Sequence, residues 1–275
     1  VEILGSGGMS VVYKAKLTSV DKHVAIKTLN IRLQSRPGVR ERFSREIETL
    51  AKLEHPHIVT VHDCLYGPGD QLFLVMDLLT GKSLDDTLAA EGRLSIERVR
   101  KIGIQICAAV KYAHQKGIIH RDLKPGNVML LANEQDFVKV VDFGLVKLGE
   151  DSRRLTQSGE FWGSPPYVSP EQVKGEPCDA RSDVYSLGCV LYEMLIGQDP
   201  FFGVELFQLL NKHVQDMPPR FAEARPDLEI PEEMEAIVFK ALAKSPADRF
   251  QSMAEFQSAL EKFGSGSYSA FQKDD

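Results

Sequence analysis

His120-Arg121-Asp122-Leu123-Lys124-Pro125-Gly126-Asn127 gathers basic, acidic and amide groups into one stretch, which Pro125 and Gly126 keep from continuing as a helix. A plain surface loop is polar too, but it does not need this order of groups. Asp142-Phe143-Gly144 follows the β-prone run Val138–Val141. An aspartate at a strand end, with a glycine two residues on, suits a divalent-cation ligand at a sharp turn. Gly5-Ser6-Gly7-Gly8-Met9-Ser10, followed by Val12, lies between two strand-like runs. Glycines let backbone amides approach phosphate oxygens where a Cβ would collide. A dinucleotide fingerprint needs a helix after its glycines, and here a strand follows. Lys27 ends the apolar run Val24-Ala25-Ile26, and Glu46 shares one side of the following helix with Phe43 and Leu50. A carboxylate on an apolar face needs a cation, and Lys27 is at hand. The pair is either a structural ion pair or a device that aims an ammonium at a phosphate.

The first third must position these groups with strands around one helix. Val11–Lys16 and His23–Leu29 are β-prone, and Val39–Leu53 has helical spacing with Phe43, Ile47, Leu50 and Leu53 on one side. Ile58–Cys64 and Gln71–Met76 resemble an antiparallel pair joined at Gly67-Pro68-Gly69. Beyond Gly81 long helices take over. Ile96–Gln115 is amphipathic, Asp183–Ile196 is apolar nearly all round, and Glu232–Leu242 and Ser252–Phe263 are amphipathic again. The expected class is α+β: a small β-rich lobe (1–76), a hinge (77–79) and a large, mainly α lobe (80–264), with 265–275 as a Gly/Ser-rich linker or tail.

Composition is that of a globular chain of 275 residues, 43% hydrophobic and 26% charged. A net charge of −6 argues against a nucleic-acid surface, which wants a basic face. Cys64, Cys107, Cys178 and Cys189 fit no metal-ligand spacing and no disulfide framework, so a reducing, cytoplasmic setting is expected. No stretch reaches the roughly 18 apolar residues of a membrane-spanning helix. The chain opens without Met and without a signal peptide, and reads as an excerpt of a longer protein.

Taken in order, the Gly-rich loop, strand lysine, helix glutamate, HRDLKPGN, DFG and the APE-like Ser169-Pro170-Glu171 resemble the signature set of the eukaryotic-type (Hanks-type) protein kinases. The likeness runs over Ile3 to Phe263. The GGMS loop, the KPGN ending and Gly163-Ser164-Pro165-Pro166-Tyr167-Val168-Ser169-Pro170-Glu171-Gln172 are most similar to the bacterial branch. The resemblance implies a bilobal kinase fold and transfer of the γ-phosphate of ATP, with Mg²⁺ (Mn²⁺ as a substitute), to Ser or Thr hydroxyls of protein substrates.

By the same resemblance, Leu4 is ATP-binding, the loop of Gly5, Ser6, Gly7, Gly8, Met9 and Ser10 covers the phosphates, and Lys27, held by Glu46, contacts the α- and β-phosphates. Asp122 receives or orients the substrate hydroxyl proton, Lys124 marks the serine/threonine class, and Asn127 and Asp142 hold the metal. Val12, Ala25 and Met129 sandwich adenine, Met76 is the gatekeeper, and the hinge backbone at Asp77 and Leu79 binds the adenine edge. Leu50, Val61, His120 and Phe143 match a regulatory stack, Glu171 and Arg249 an ion pair, and Asp183 the brace of the 120–127 loop. Arg121 before Asp122 implies a loop ordered by phosphorylation, with Thr156 and Ser158, and nearby Ser164, as regulatory positions. Homodimers that autophosphorylate occur among such kinases. Gly126 leaves no carboxylate where Arg-directed kinases often carry one. The alternative is a pseudokinase or nucleotide-binding scaffold, a class that usually loses the Lys, the catalytic Asp or the DFG Asp, all present here.

Overall fold

The computed structural model describes residues 2–7, 10–17, 21–29, 50–67, 72–143 and 164–264. Alternating β-prone segments build a five-stranded antiparallel sheet from β1 (Glu2–Gly7), β2 (Ser10–Leu17), β3 (Lys22–Leu29), β4 (Val61–Tyr66) and β5 (Leu72–Asp77), in the order β1-β2-β3-β5-β4. Register decides what this sheet presents. Val12 pairs with Lys27, Lys27 with Leu74, and Ala25 with Met76. Residues two apart share a face, so Val12, Ala25, Lys27, Leu74 and Met76 all lie on one side. Slipping β3 by one residue would turn Lys27 to the other face.

A second sheet, β6 (Gly81–Ser83), β7 (Val128–Leu131) and β8 (Val138–Val140), follows the hinge. Gly81 is required there, because a Cβ would run into the Leu130 carbonyl of the paired strand. Ile58 and Val59 join the two sheets: Val59 N donates to Val140 O at 3.0 Å, and Val140 N to His57 O at 2.9 Å. Ile58 was expected to begin the strand that pairs with Gln71–Met76. That strand starts at Val61 instead, since the backbone at 57–59 is committed to β8.

Among the described residues the complete α-helices are α1 (Leu84–Glu91), α2 (Ile96–Gln115), α3 (Pro170–Lys174), α4 (Ala180–Ile196), α5 (Leu206–Gln215), α6 (Phe221–Ala224), α7 (Glu232–Ala241) and α8 (Met253–Lys262). Ser95 caps α2, accepting from Arg98 N, and Asp179 caps α4, accepting from Arg181 N at 2.8 Å. That cap starts α4 one turn before Asp183. The stripe Val99, Ile102, Ile106 and Val110 of α2 is fully buried, as α4 is almost all round. Each such side chain contributes roughly 1.5–3 kcal/mol on burial. One core runs from Leu50, Leu74 and Met76 through Phe143 into α2, α4 and α8. Cys107 and Cys189 are free thiols inside it. Among the described residues no helix is long and apolar enough to cross a membrane. Beyond the elements expected from sequence, β6, β7 and the short helices α1, α3, α5 and α6 complete the fold.

Candidate active site

The site begins with a charge buried in an apolar helix. Asp183 on α4 has no exposure. Such a carboxylate persists only with donors around it. It accepts from the backbone N–H of His120 and of Arg121, both at 2.8 Å, and lies 2.7 Å from His114 Nε2. Burial alone would raise its pKa; the hydrogen bond with His114, and then the nearby His120, hold it below the ordinary aspartate value. Asp183 thereby fixes the backbone where Arg121 adopts φ 62°, a left-handed conformation that costs a non-glycine residue roughly 1–2 kcal/mol. Hydrogen bonds to a charged acceptor, at about 1.5–3 kcal/mol each, are strong enough to offset it.

His120 carries the brace onward. Its ring is fully buried, and burial lowers its pKa, so it is neutral. Nδ1 accepts from Asp122 N at 3.3 Å, so the proton is on Nε2, which donates to Val141 O at 3.1 Å. The ring packs 4.6 Å from that of Phe143, itself buried. Phe143, Leu50, Val61 and Met76 line one small cavity of about 20 Å³, room for a single water. His120 and Phe143 of the expected stack therefore touch, and Leu50 and Val61 adjoin Phe143.

The polar groups converge at the front of this brace. Asn127 Nδ2 donates to Asp122 O at 2.8 Å and Oδ2 at 3.3 Å, and Lys124 Nζ lies 3.5 Å from Asp122 Oδ2. Asp142, at φ 59°, places its Oδ2 2.6 Å from Lys27 Nζ, joining the two lobes across the site. Glu46, the partner expected for Lys27, lies outside the described residues, as do Gly8, Met9, Thr156 and Ser158. Of the Gly-rich loop, Leu4 and Gly5 are exposed on β1, and the backbone of Ser6, Gly7 and Ser10 is in β1 and β2.

Behind the front, Val12, Ala25 and Met76 share the sheet face with Lys27, while Leu79 of the hinge packs against the core and Met129 is half-buried on β7, paired with Ser83. The Asp77 carboxylate turns away, 3.0 Å from Lys22 Nζ and 2.7 Å from His62 Nε2. Burial would raise its pKa; these two hydrogen bonds lower it.

On the far side, Gln172 Nε2 donates to Arg121 O at 2.9 Å, tying segment 164–172 to the loop that bears Asp122. Ser164 begins a tight turn, with Tyr167 N donating to Ser164 O. Glu171 and Arg249 form a bidentate pair with both distances 2.8 Å and almost no exposure, and Ser182 Oγ donates to Glu171 Oε1 at 2.7 Å.

The protein kinase domain family matches residues 1–262. This chain is a protein kinase domain. It is 39% identical over 268 residues to the serine/threonine-protein kinase PknB of Mycobacterium leprae, covering 96% of this chain and 42% of that protein. It is 42% identical over 263 residues to a probable serine/threonine-protein kinase of Streptomyces coelicolor, covering 94% and 38%. The kinase domain thus spans about two fifths of the length of these curated relatives. Among solved structures, a cysteine-to-alanine mutant of the Mycobacterium tuberculosis PknI kinase domain is similar at TM-score 0.74 and 31% identity, covering 95% of this chain and 93% of that one. Rad53 1–466 in complex with AMP-PNP is similar at TM-score 0.78 and 30% identity, covering 94% and 63%. The fold is the bilobal protein kinase fold, as the motifs implied.

Sequence reasoning did not single out His114, Gln172 as a tether, or the pair Tyr167–Glu193, in which the phenol donates to Glu193 Oε2 at 2.7 Å. Only Glu193 left a signal: a carboxylate that interrupts the apolar run Val184–Ile196 of α4.

Proposed function

We propose that this domain transfers the γ-phosphate of Mg·ATP to serine and threonine hydroxyls of proteins. The observation that carries the reading is Lys27 meeting Asp142 at 2.6 Å in front of an Asp122–Asn127 pair that Asp183 braces. Lys27 binds the α- and β-phosphates, and Val12, Ala25, Met76, Leu79 and Met129 form the adenine slot beside the hinge. The Rad53 complex with AMP-PNP supports nucleotide binding by this fold. Asn127 and Asp142 offer hard oxygen donors that suit Mg²⁺, or Mn²⁺ in its place. Because Asn127 Nδ2 is committed to Asp122, its Oδ1 is the atom left for the cation. When bound, the cation neutralises charge on the phosphoryl group in flight. Asp122 orients the incoming hydroxyl and accepts its proton, and Lys124 beside it counters the charge of the transferring oxygens.

The lobes are residues 1–76 and 80–264, with the hinge at 77–79 between them. Activation comes from autophosphorylation between two copies at Thr156 and Ser158, whose phosphates Arg121 receives. The catalytic set is intact where a pseudokinase loses it, which favours transfer over scaffolding.

Radiolabelled ATP and a generic protein substrate test this. Wild type incorporates label into Ser and Thr, and Asp122→Asn falls by roughly 100-fold or more, the scale of losing a general base. Equal incorporation by both would remove Asp122 from the role. A melting temperature unmoved by Mg·ATP would remove nucleotide binding.

A further inference from the structure

His213, on α5, is fully buried, so both of its ring nitrogens have to be accounted for. Nδ1 lies 2.9 Å from the hydroxyl of Tyr185 on α4. That hydroxyl lies 3.0 Å from Lys244 Nζ. Burial pushes Lys244 down to about 8, so it is still an ammonium at neutral pH and can only donate. Burial raises the Tyr185 phenol far above its usual range, so it keeps its proton. The phenol accepts from Lys244 and gives its one proton to Nδ1. His213 is therefore the tautomer with hydrogen on Nε2. Burial, with the charge of Lys244, holds the ring at about 3 and hence neutral.

Among the described residues that Nε2–H has no hydrogen-bond partner. A buried unpaired donor costs about 1–3 kcal/mol and calls for a reason. The backbone acceptors around the ring are those of Pro165 and Pro166, which attract its proton without forming a well-made hydrogen bond. These two residues open the tight turn Pro165–Tyr167. On its other side the turn is fastened to α4, where Ser186 Oγ donates to Tyr167 O at 2.8 Å and Tyr167 Oη to Glu193. Through Gln172 the same segment is tied to Arg121, next to Asp122. The segment is thus fastened beside the loop that bears Asp122, where the kinase reading brings the hydroxyl of a polypeptide. Phe201, 4.9 Å from the His213 ring, packs edge-on against it.

We propose that His213 is a positioning residue for the polypeptide substrate: Lys244 and Tyr185 hold its Nε2–H ready for a carbonyl of Pro165 or Pro166, and the bond closes when a substrate seats on segment 164–169. Helix α5 and the segment then move as one unit. This inference rests on the kinase reading above. The residues involved touch neither the nucleotide pocket nor the cation ligands, so the effect falls on protein binding alone.

Steady-state kinetics with a protein substrate, and separately the substrate-free ATPase rate, test it in wild type, His213→Phe, His213→Gln and Tyr185→Phe. His213→Phe fills the site without a donor and should raise the KM for protein about 5- to 10-fold, the scale of one hydrogen bond, while the KM for ATP is unchanged. The glutamine variant presents an amide N–H at a similar reach and should recover most of the loss. Tyr185→Phe removes the group that sets the tautomer and should fall between them. If His213→Phe does not fold, a folded Tyr185→Phe with the wild-type KM for protein overturns the proposal. Equal losses in the Phe and Gln variants, or a matching rise in the KM for ATP, overturn it as well, since those are the marks of packing alone. Wild type without transfer to any protein would instead sink the kinase reading on which it depends.

Discussion

Glu193 makes the stability of this domain fall with rising pH, and Glu193→Gln should abolish that fall. The carboxylate sits on α4 beneath segment 164–169 and accepts from Tyr167 at 2.7 Å. Burial raises its pKa to about 7 against the Tyr167 hydrogen bond, and the charges of Asp199 and Asp85 add to the rise. A carboxylate raised in the folded state binds its proton more tightly there than in the unfolded chain. Its contribution is therefore fully present at low pH and is lost as pH climbs from the ordinary glutamate value of 4.5 to about 7. At 1.36 kcal/mol per pH unit, the lost stabilisation amounts to about 3 kcal/mol at pH 8.5 and under about 1 kcal/mol at pH 5. The amide of glutamine keeps an acceptor for Tyr167 and has nothing to titrate. Urea unfolding of both proteins from about pH 5 to 8.5 should show the variant gaining roughly 2–3 kcal/mol on wild type across the range, other titrating groups being common to both. Curves that stay parallel to within about 0.5 kcal/mol would refute the reasoning, whatever constant offset separates them.

Glu171→Ala leaves Arg249 charged and buried, so thermal or urea unfolding should report a loss of about 3–5 kcal/mol. Burial raises the Glu171 pKa but Arg249 lowers it below the usual value, so the pair's contribution fades as pH falls through that depressed value, opposite in sign to Glu193. Asp183→Asn deprives the backbone at 120–121 of its charged acceptor; kcat should drop about 100-fold, as for a small misplacement of reacting groups, while the KM for ATP holds within about twofold. At Gly126 a Cβ would meet only the Lys124 side chain, at 3.9 Å, so Gly126→Glu should fold with stability changed by less than about 0.5 kcal/mol and should favour peptides with arginine ahead of the acceptor serine.

Lys27, Asp122, Asn127 and Asp142 could be picked out of the sequence because the chemistry proposed for them demands particular groups and because local rules place them. Alternation along β3 fixes the face of Lys27, and Pro125 with Gly126 breaks the chain out of helix around Asp122. The start of β4 was not legible, since nothing near Ile58 announces that its backbone will pair with Val140, some 80 residues on. Asp183 was assigned by resemblance alone; its physical reason is two backbone amides more than 60 residues away. The tautomer of His213 depends on groups from three separate helices or loops, and no sequence period encodes such a meeting.

The two lobes position their charges by different means, and that difference predicts how damage will spread. In the small lobe, among the described residues, Lys27 is aimed by strand register, with its ion pair reaching across to Asp142. A core change under β3 or β5 should therefore act first on nucleotide affinity, because the lysine shifts while Asp122 does not. In the large lobe Asp122 is aimed by a chain of hydrogen bonds that begins at a fully buried carboxylate and ends on a neutral imidazole. A change on α4 breaks that chain at its root and should act first on turnover, with nucleotide affinity spared. Leu74→Ala and Asp183→Asn separate the two: the first should raise the KM for ATP more than it lowers kcat, and the second the reverse. If both variants moved the same constant, the lobes would not be independent supports, and the single core that runs between them would be setting the site as one body.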